Sequence, residues 1–314
     1  MRTIRTIGIL GTGIIGASWA AFYAQKGFEV RLFDSQPSAL SAGLARAQGF
    51  VRHLQELGRL DPAACTAALA RLTVSPTLAD FAHALDLVQE SVAETYAIKR
   101  EVYSALEAHL PADAVIASSS SGLLMSEIQT ALAKPERALI AHPFNPPHLI
   151  PLVELVPGAR TDPALIEQMK AFFLGLGKEP VVLRKEIPGH IANRLAAALW
   201  REAIDLVARG VASVEDVDKA LHAGPGMRYA LMGQHLIYHL GGGARGYAGF
   251  LDGVGKSFEV YWQDFTDFKT LPEGVRAQLI AGAEAEAAAA GKNIEELTRW
   301  RDEKLAQLLE LKGY

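Results

Sequence analysis

Two polar segments of the chain could carry acid–base chemistry, because each directly follows a short apolar run. They are residues 118–122, SSSSG, and residues 141–147, AHPFNPP. An imidazole titrates near neutral pH, so His142 is a candidate general base for a hydroxyl proton. Glu154 is the only charge in the next apolar run, residues 152–156, and a carboxylate buried there needs a partner. We therefore predict a His142–Glu154 pair; spacing alone also allows a structural histidine and a solvent-facing glutamate.

A glycine-rich turn near the start of the chain has the GxGxxG pattern of a dinucleotide-binding loop. It comprises Gly11, Gly13, Ile14, Ile15 and Gly16 and follows an apolar run. The first glycine permits a sharp turn, the second leaves room for a pyrophosphate, and the third lets the next helix pack on a sheet. Free amides at that helix N-terminus would face the pyrophosphate. For the motif alone, a glycine-rich loop without a ligand is the alternative.

An acidic residue at the end of the second apolar run predicts which dinucleotide binds. Asp34 lies 21 residues after Gly13, and no arginine follows it at once. A carboxylate at this spacing can accept hydrogen bonds from both ribose hydroxyls of the adenosine half, whereas a 2′-phosphate would need a cation. The sequence therefore predicts NAD rather than NADP.

The elements that must position these residues alternate between strand and helix. Eight short apolar runs read as strands, at residues 5–10, 29–34, 71–74, 86–90, 114–117, 137–141, 151–156 and 179–183. Such alternation is typical of a Rossmann-type, doubly wound α/β domain with a parallel sheet and helices on both faces. Two segments after the second strand, one starting at Pro37 and one at Pro62, predict a helical hairpin.

The strand pattern ends near Pro188. Six helical segments follow, at residues 190–209, 213–223, 226–240, 246–268, 273–290 and 294–312. We predict an NAD-binding domain over residues 1–187 and an all-helical domain for substrate binding and dimerisation over residues 188–314. An apolar stripe in the last segment suits a core or a subunit interface, and a two-fold homodimer is expected.

Composition limits the partners of the chain. Half of its 314 residues are apolar and its formal net charge is −4, which gives no electrostatic case for nucleic acid or an anionic membrane surface. The N-terminus shows no signal-peptide pattern and no apolar stretch approaches the ~20 residues that span a bilayer, so we expect a cytoplasmic protein. Cys65 is the single cysteine, so a disulfide within the chain is excluded, and neither a metal site nor thiol catalysis is expected.

The residues around the predicted pair resemble the 3-hydroxyacyl-CoA dehydrogenase superfamily. Its pattern joins a histidine in an H-x-F-N-P-like turn to a glutamate twelve residues later, as His142 and Glu154 are joined here. The family site also uses a serine in the preceding loop and an asparagine in a G-x-x-x-N-R-L helix, which correspond to Ser121 and Asn193. The resemblance implies that these four residues form the catalytic site. Hydroxyl and amide donors from Ser121 and Asn193 can then stabilise the substrate oxygen as its charge grows, or orient the imidazole.

The resemblance also implies further cofactor contacts. Glu94 and Lys99 lie in a segment similar to one beside the cofactor in the family, although a solvated helix face would read the same way. Ser119, in the serine-rich segment, is the third such candidate.

The identity of the substrate is suggested by charge. Acyl-CoA members typically carry a Lys-rich hairpin after the second strand, whereas residues 41–54 here hold only Arg46 and Arg52 as fixed positive charges. A CoA thioester is therefore disfavoured. A closer resemblance, over residues 142–157, 226–230 and 300–305, is to the λ-crystallin and L-gulonate 3-dehydrogenase branch, and L-carnitine dehydrogenase is similar over residues 199–203. Both imply a free 3-hydroxy carboxylate.

A free carboxylate needs a cation in the pocket, and Arg228 is the candidate; a surface arginine or a structural salt bridge is its alternative. The sequence thus predicts oxidation of the 3-hydroxyl of an L-gulonate-like acid. L-carnitine, an L-3-hydroxyacyl-CoA and a non-enzymatic NAD-binding role of the λ-crystallin type stay open. Aromatic residues that could cage a quaternary ammonium suit a helical core equally well: Trp200, Tyr229, Tyr238, Phe250, Tyr261, Trp262 and Phe265.

Overall fold

The computed structural model describes residues 3–314. Met1 and Arg2, which belong to the N-terminal segment without a predicted signal peptide, lie outside the described residues. Cα packing divides the chain into two compact units. One runs to Arg194 and includes Tyr314, and the other comprises residues 195–313. The predicted boundary near Pro188 lies shortly before this division.

An eight-stranded sheet forms the centre of the first unit, within residues 3–194, with the order β3-β2-β1-β4-β5-β6-β7-β8. Its strands are β1 Thr6–Leu10, β2 Glu29–Phe33, β3 Leu72–Val74, β4 Leu87–Glu90, β5 Val115–Ser118, β6 Ala138–Pro143, β7 Leu152–Pro157 and β8 Glu179–Val182. Each overlaps one of the predicted runs. The doubly wound α/β class is therefore confirmed.

The direction of the last two strands differs from the prediction. Strands β1 to β6 are parallel, but β7 is antiparallel to β6, and β8 runs parallel to β7. Residues 144–151, which join β6 to β7, contain no helix. A parallel crossover needs a dozen or more residues, so this short connection returns the chain antiparallel. The expectation of a wholly parallel sheet is wrong for β7 and β8.

Helices cover both faces of the sheet. Those of the first unit are α1 Ile14–Gln25, α2 Pro37–Glu56, α3 Pro62–Ala70, α4 Leu78–Ala82, α5 Tyr96–Glu107, α6 Met125–Ile128 and α7 Pro163–Gly175. Successive residues of a strand point to opposite faces, so Val115 and Ala117 enter one buried cluster and Ile116 enters the other. The predicted hairpin corresponds to α2 and α3, and Asp61 caps α3 by accepting the Ala64 N–H at 2.7 Å.

The regular elements of the second unit, residues 195–313, are all helices, as predicted. Helix α8 Ala192–Ala208 spans the division, and the others are α9 Val214–Ala223, α10 Pro225–Tyr229, α11 Gln234–Gly241, α12 Gly246–Asp252, α13 Gly255–Asp264, α14 Val275–Ala289 and α15 Ile294–Leu311. Two predicted segments are each split into two helices, near Gly233 and Gly253, because glycine disfavours helix interiors. None of the helices within residues 3–314 combines the length and apolar character that a bilayer crossing requires.

Candidate active site

The antiparallel pairing of β6 and β7 brings the predicted base and acid together. His142 is directly opposite Glu154 in the register, and cross-strand partners point to the same face. His142 Nδ1 lies 2.9 Å from Glu154 Oε2, and both side chains are buried. Because an ionised carboxylate only accepts hydrogen bonds, His142 Nδ1 carries the proton in this pair. The Nε2 lone pair is then left to take a proton from another group.

Glu154 also fixes the start of α8. Its Oε1 accepts the N–H of Ile191, directly before that helix, at 2.8 Å and the N–H of Ala192, the first helical residue, at 3.0 Å. Burial alone raises the pKa of Glu154, but hydrogen bonds from His142 and from the two amides outweigh it, so the pKa is lowered from its ordinary value. Glu154 is therefore a charged anchor between the imidazole and the helix N-terminus.

A second carboxylate holds the serine-rich loop. Glu94 Oε1 accepts hydrogen bonds from Ser120 Oγ at 2.6 Å, the Ser121 N–H at 2.8 Å and the Gly122 N–H at 3.0 Å. Burial raises the pKa of Glu94, but these donors and the nearby Lys99 ammonium lower it overall. Ser121 itself is exposed. Glu94 thus fixes the loop that carries a candidate catalytic hydroxyl.

The turn before α8 and the first turn of that helix contact the same loop. Asn193 Nδ2 lies 3.5 Å from the Ser121 carbonyl oxygen, at the limit of a hydrogen bond, and His190 Nε2 lies 2.9 Å from the Ser120 carbonyl oxygen. The His190 ring also packs on His142, with 5.1 Å between ring centroids. The structure therefore links the four predicted catalytic residues through Glu154, the α8 turn and the serine loop. The prediction missed His190, whose only sequence signal is its place after Gly189 in the G-x-x-x-N-R-L element.

The glycine-rich turn borders a cavity of about 590 Å³. Gly13 lines this cavity and caps α1 without a side chain, and a Cβ built on Gly13 would meet nothing within 4 Å. Gly11 has a φ of 89°, and a Cβ there would come within 2.7 Å of the Ser91 backbone. A Cβ on Gly16 would collide with the Gly11 carbonyl oxygen. The turn therefore needs Gly11 and Gly16 for its own packing, whereas Gly13 leaves open space where a pyrophosphate would approach α1.

Asp34 lies in the wall of the same cavity. Its Oδ2 accepts the Thr12 N–H at 2.9 Å and Thr12 Oγ1 at 3.1 Å, and its Oδ1 accepts the Gln36 N–H at 3.2 Å. These contacts orient a half-buried carboxylate toward space that suits the ribose hydroxyls of a dinucleotide. The Asp34 carboxylate, as an acceptor for ribose hydroxyls, and the open space at Gly13, where a pyrophosphate can approach, fit a bound NAD.

Lys99 and Ser119 have protein partners that the sequence did not reveal. Lys99 is 1% exposed, and its Nζ lies 2.7 Å from Glu90 Oε1 at the end of β4. Ser119 Oγ lies 2.9 Å from both Gln89 Nε2 and Ser91 Oγ. Lys99 therefore compensates a buried carboxylate, and direct cofactor contacts by Lys99, Ser119 and Glu94 stay predictions.

Comparison with known proteins identifies the family. The profile of the 3-hydroxyacyl-CoA dehydrogenase NAD binding domain matches residues 6–187, and that of the 3-hydroxyacyl-CoA dehydrogenase C-terminal domain matches residues 189–279. The chain belongs to the 3-hydroxyacyl-CoA dehydrogenase family. It is accordingly an NAD-dependent oxidoreductase that acts on CH–OH groups.

The similarity of this dehydrogenase to its relatives extends over nearly its whole length. It is 39% identical to L-carnitine dehydrogenase of Streptomyces griseus, covering 99% of this chain and 90% of the relative, and 38% identical to L-carnitine dehydrogenase of Streptomyces coelicolor, covering 99% and 96%. A solved structure of 5-formyl-3-hydroxy-2-methylpyridine 4-carboxylic acid 5-dehydrogenase, an NAD-dependent dismutase, superposes with a TM-score of 0.80 at 28% identity, covering 99% of this chain and 98% of the other. The resemblance to the λ-crystallin branch stays a prediction.

Arg228 lies in the second unit of the dehydrogenase, in α10. It lines a cavity of about 370 Å³. The other residues that line this cavity are Leu231, Met232, Ile237, Leu240 and Gly241. The Arg228 side chain is exposed and forms no ion pair with another residue in the described range 3–314. Its guanidinium is therefore a cation beside apolar side chains, and no carboxylate within residues 3–314 forms an ion pair with it. No cluster of three His, Cys, Asp or Glu side chains that could hold a metal ion occurs within the same range.

Proposed function

We propose that this dehydrogenase oxidises the 3-hydroxyl of a small free 3-hydroxy carboxylic acid, and that its substrate is L-carnitine. The observation that carries the proposal is the buried His142–Glu154 pair, which leaves His142 Nε2 as a base. The choice among 3-hydroxy acids follows the relatives, which are L-carnitine dehydrogenases at 38–39% identity over 99% of this chain. L-gulonate, the first expectation from the sequence, has no support among them.

In this proposal His142 Nε2 accepts the proton of the substrate hydroxyl while the carbon–oxygen bond becomes a carbonyl. Glu154 holds the imidazole in the required tautomer and stabilises the imidazolium that forms, and such general-base catalysis contributes a factor of about 10²–10⁴. Ser121 and Asn193 donate hydrogen bonds to the substrate oxygen as its charge grows. NAD, when bound, supplies the acceptor for the hydride that leaves the same carbon.

Two features of the second unit support a zwitterionic acid. Arg228 can bind a carboxylate with its planar fork, because no carboxylate in the described part of the chain forms an ion pair with it. An aromatic cluster within the same unit includes Tyr238 stacked on Phe250 at 4.3 Å and Phe258 near the exposed Tyr261 and Trp262. Aromatic faces attract a quaternary ammonium group. A cytoplasmic location and a homodimer, both expected from the sequence, belong to the same proposal.

The test is NADH formation, followed by absorbance, with L-carnitine, L-gulonate, L-3-hydroxybutyrate and 3-hydroxybutyryl-CoA. We expect the highest kcat/KM with L-carnitine, and we expect His142→Gln to lower kcat by about 10²–10⁴-fold while NAD affinity is unchanged. Turnover with the thioester alone would overturn the substrate class. No turnover with any of the four would favour a non-enzymatic NAD-binding protein.

The role of Arg228 is tested in the same assay. Arg228→Met should raise KM for the hydroxy acid by about 10–100-fold, since a charge-assisted hydrogen bond is worth ~1.5–3 kcal/mol, and should leave NAD affinity intact. Arg276→Met, which removes an exposed arginine from α14 of the same unit, is the matched control. An Arg228→Met enzyme with the KM of the control would remove Arg228 from the substrate site.

A further inference from the structure

His190 concentrates several unfavourable features at one position beside the candidate base. It is a non-glycine residue with a φ of 51°, directly after Gly189 with a φ of 79°. It is 1% exposed, although it is polar. Left-handed backbone in a residue with a side chain persists only where the surroundings enforce it, and such residues cluster at functional sites.

The contacts of His190 fix its tautomer. Its Nε2 lies 2.9 Å from the Ser120 carbonyl oxygen, and a carbonyl only accepts hydrogen bonds. Nε2 therefore carries a proton. In the neutral ring Nδ1 is then an acceptor, and no group within residues 3–314 donates to this buried atom. Buried polar atoms without a partner are rare and call for an explanation beyond packing.

The surroundings keep the His190 ring neutral. Burial and the nearby His142 lower its pKa, and this outweighs the hydrogen bond to Ser120 and the charges of Glu154 and Glu94, which raise it. A neutral neighbour matters because His142 becomes cationic when it takes the substrate proton. A second imidazolium at a ring separation of 5.1 Å would oppose that charge.

We propose that His190 is a positioning residue of this active site, which fixes the candidate base His142 and the Ser121 loop relative to each other. Its Nε2–H holds the loop through the Ser120 carbonyl, and its ring packs on His142. The turn that carries it, just before α8, is itself tied to Glu154 by the Ile191 and Ala192 amides. The inference rests on the proposed function, because it assigns His190 to the reaction of the same pair.

Two substitutions separate the functions of the ring. His190→Phe keeps an aromatic ring against His142 but removes the donor to Ser120, whereas the amide nitrogen of His190→Gln can still donate to that carbonyl. With the best substrate of the wild-type enzyme, we expect His190→Phe to lower kcat by about 10-fold or more, because the loss of the hydrogen bond to the Ser120 carbonyl corresponds to a change of this size. His190→Gln should recover most of kcat, and KM for NAD should change less than about 2-fold in both variants. His109→Phe, at an exposed histidine after α5, is the control.

A double-mutant cycle distinguishes positioning from a merely structural role. If His190 acts by holding Ser121, Ser121→Ala should lower kcat by a smaller factor in the His190→Phe enzyme than in the wild type. If instead the kcat losses of the two single variants multiply in the double variant, the residues act independently and the inference is overturned. A kcat of His190→Phe equal to that of the control would do so as well. If His190→Phe does not fold, His190→Asn, which tolerates the left-handed backbone but is too short to reach Ser120, should show the same loss and the same coupling.

The pH profile tests the neutral state. The acid limb of kcat/KM should keep the slope of a single proton in the wild type and in His190→Gln. A two-proton slope that becomes a one-proton slope in His190→Gln would show that His190 titrates during turnover, contrary to the inference. Because the wild type must first oxidise one of the four substrates, a failure of the proposed function is seen before any variant is compared.

Discussion

At the scale of single residues, the carboxylate of Glu154 performs two tasks with its two oxygens. Oε2 binds the His142 imidazole at 2.9 Å, and Oε1 binds the amides of Ile191 and Ala192, at the junction of the turn and α8, at 2.8 and 3.0 Å. A buried charge is costly unless it is paired and hydrogen-bonded, and here three donors compensate it. The residue that orients the base is therefore also the residue that holds the junction between the turn carrying His190 and the helix carrying Asn193.

Replacing Glu154 by Gln should separate charge from shape. The amide keeps the size of the side chain, but it no longer stabilises an imidazolium and can leave His142 in the wrong tautomer. We expect Glu154→Gln to lower kcat by on the order of 10²–10⁴-fold, with KM for NAD nearly unchanged. Steady-state kinetics measure this, and Glu167→Gln at an exposed position on α7 is the control. Wild-type turnover in Glu154→Gln would remove the carboxylate from the mechanism.

The same substitution has a signature in stability. Because the folded-state pKa of Glu154 is lowered below its ordinary value of 4.5, the unfolded chain binds more protons as the pH falls. The stabilisation is therefore complete above about pH 4.5 and is lost as the pH falls through the lowered pKa. Urea unfolding at several pH values should show a smaller loss of free energy of unfolding below pH 4.5 in Glu154→Gln than in the wild type. Parallel acid profiles would show that Glu154 is not a stabilising anion.

At the scale of elements, the loop between β6 and β7 is tied to the cofactor helix. His148 in this loop contacts Ser18 of α1, with Nδ1 2.7 Å from Ser18 Oγ. Lys178, directly before β8, donates to the Pro147 and Ile150 carbonyls, and its Nζ lies 4.2 Å from the centre of the Phe22 ring on α1. The helix that starts at the dinucleotide turn and the strand that carries His142 are therefore fixed to each other by one lysine and one histidine.

Lys178→Met should weaken this connection. The methionine fills a similar volume among the aromatic rings, but it leaves two buried carbonyl oxygens without their donor. We expect the free energy of unfolding to fall by about 2–4 kcal/mol, measured by urea unfolding at neutral pH. Lys185→Met, at an exposed lysine after β8, should change it by less than ~0.5 kcal/mol. Equal stability of the two variants would mean that Lys178 contributes no net stabilisation to the loop.

The elements differ in how much of them the sequence reveals. The strands read as short runs rich in apolar or β-branched residues, so all eight could be predicted, and the GxGxxG turn with Asp34 indicated the dinucleotide site. The direction of a strand within the sheet leaves no comparable pattern in the sequence. The antiparallel return of β7, which sets His142 opposite Glu154, could have been suspected only from the short, proline-rich connection. Lys99 pairs with Glu90, and Lys178 donates to two carbonyls. These contacts could not be predicted, because folding alone brings the partners together and no spacing in the sequence indicates them.

At the scale of the whole molecule, the two units differ in how they bury apolar side chains. The first unit has two buried clusters, one on each face of its sheet. In the second unit, α9, α10 and α13 contain no buried residue, and large apolar side chains such as Val254, Val260 and Trp262 are 60–66% exposed. Exposed apolar surface of this extent marks an interaction site. A second copy of the chain would cover it in a symmetric dimer.

The expected mass in solution is twice the chain's 33.8 kDa. Size-exclusion chromatography with light scattering at micromolar concentration measures it directly. Val260→Glu places a charge on the exposed apolar face of α13 and should shift the protein toward monomer, because a buried unpaired charge opposes association. Leu174→Glu places the same charge at an exposed leucine of the first unit, on α7, and should leave the dimer intact. A wild-type chain that elutes as a monomer would contradict the dimer, and a Val260→Glu dimer would exclude α13 from its interface.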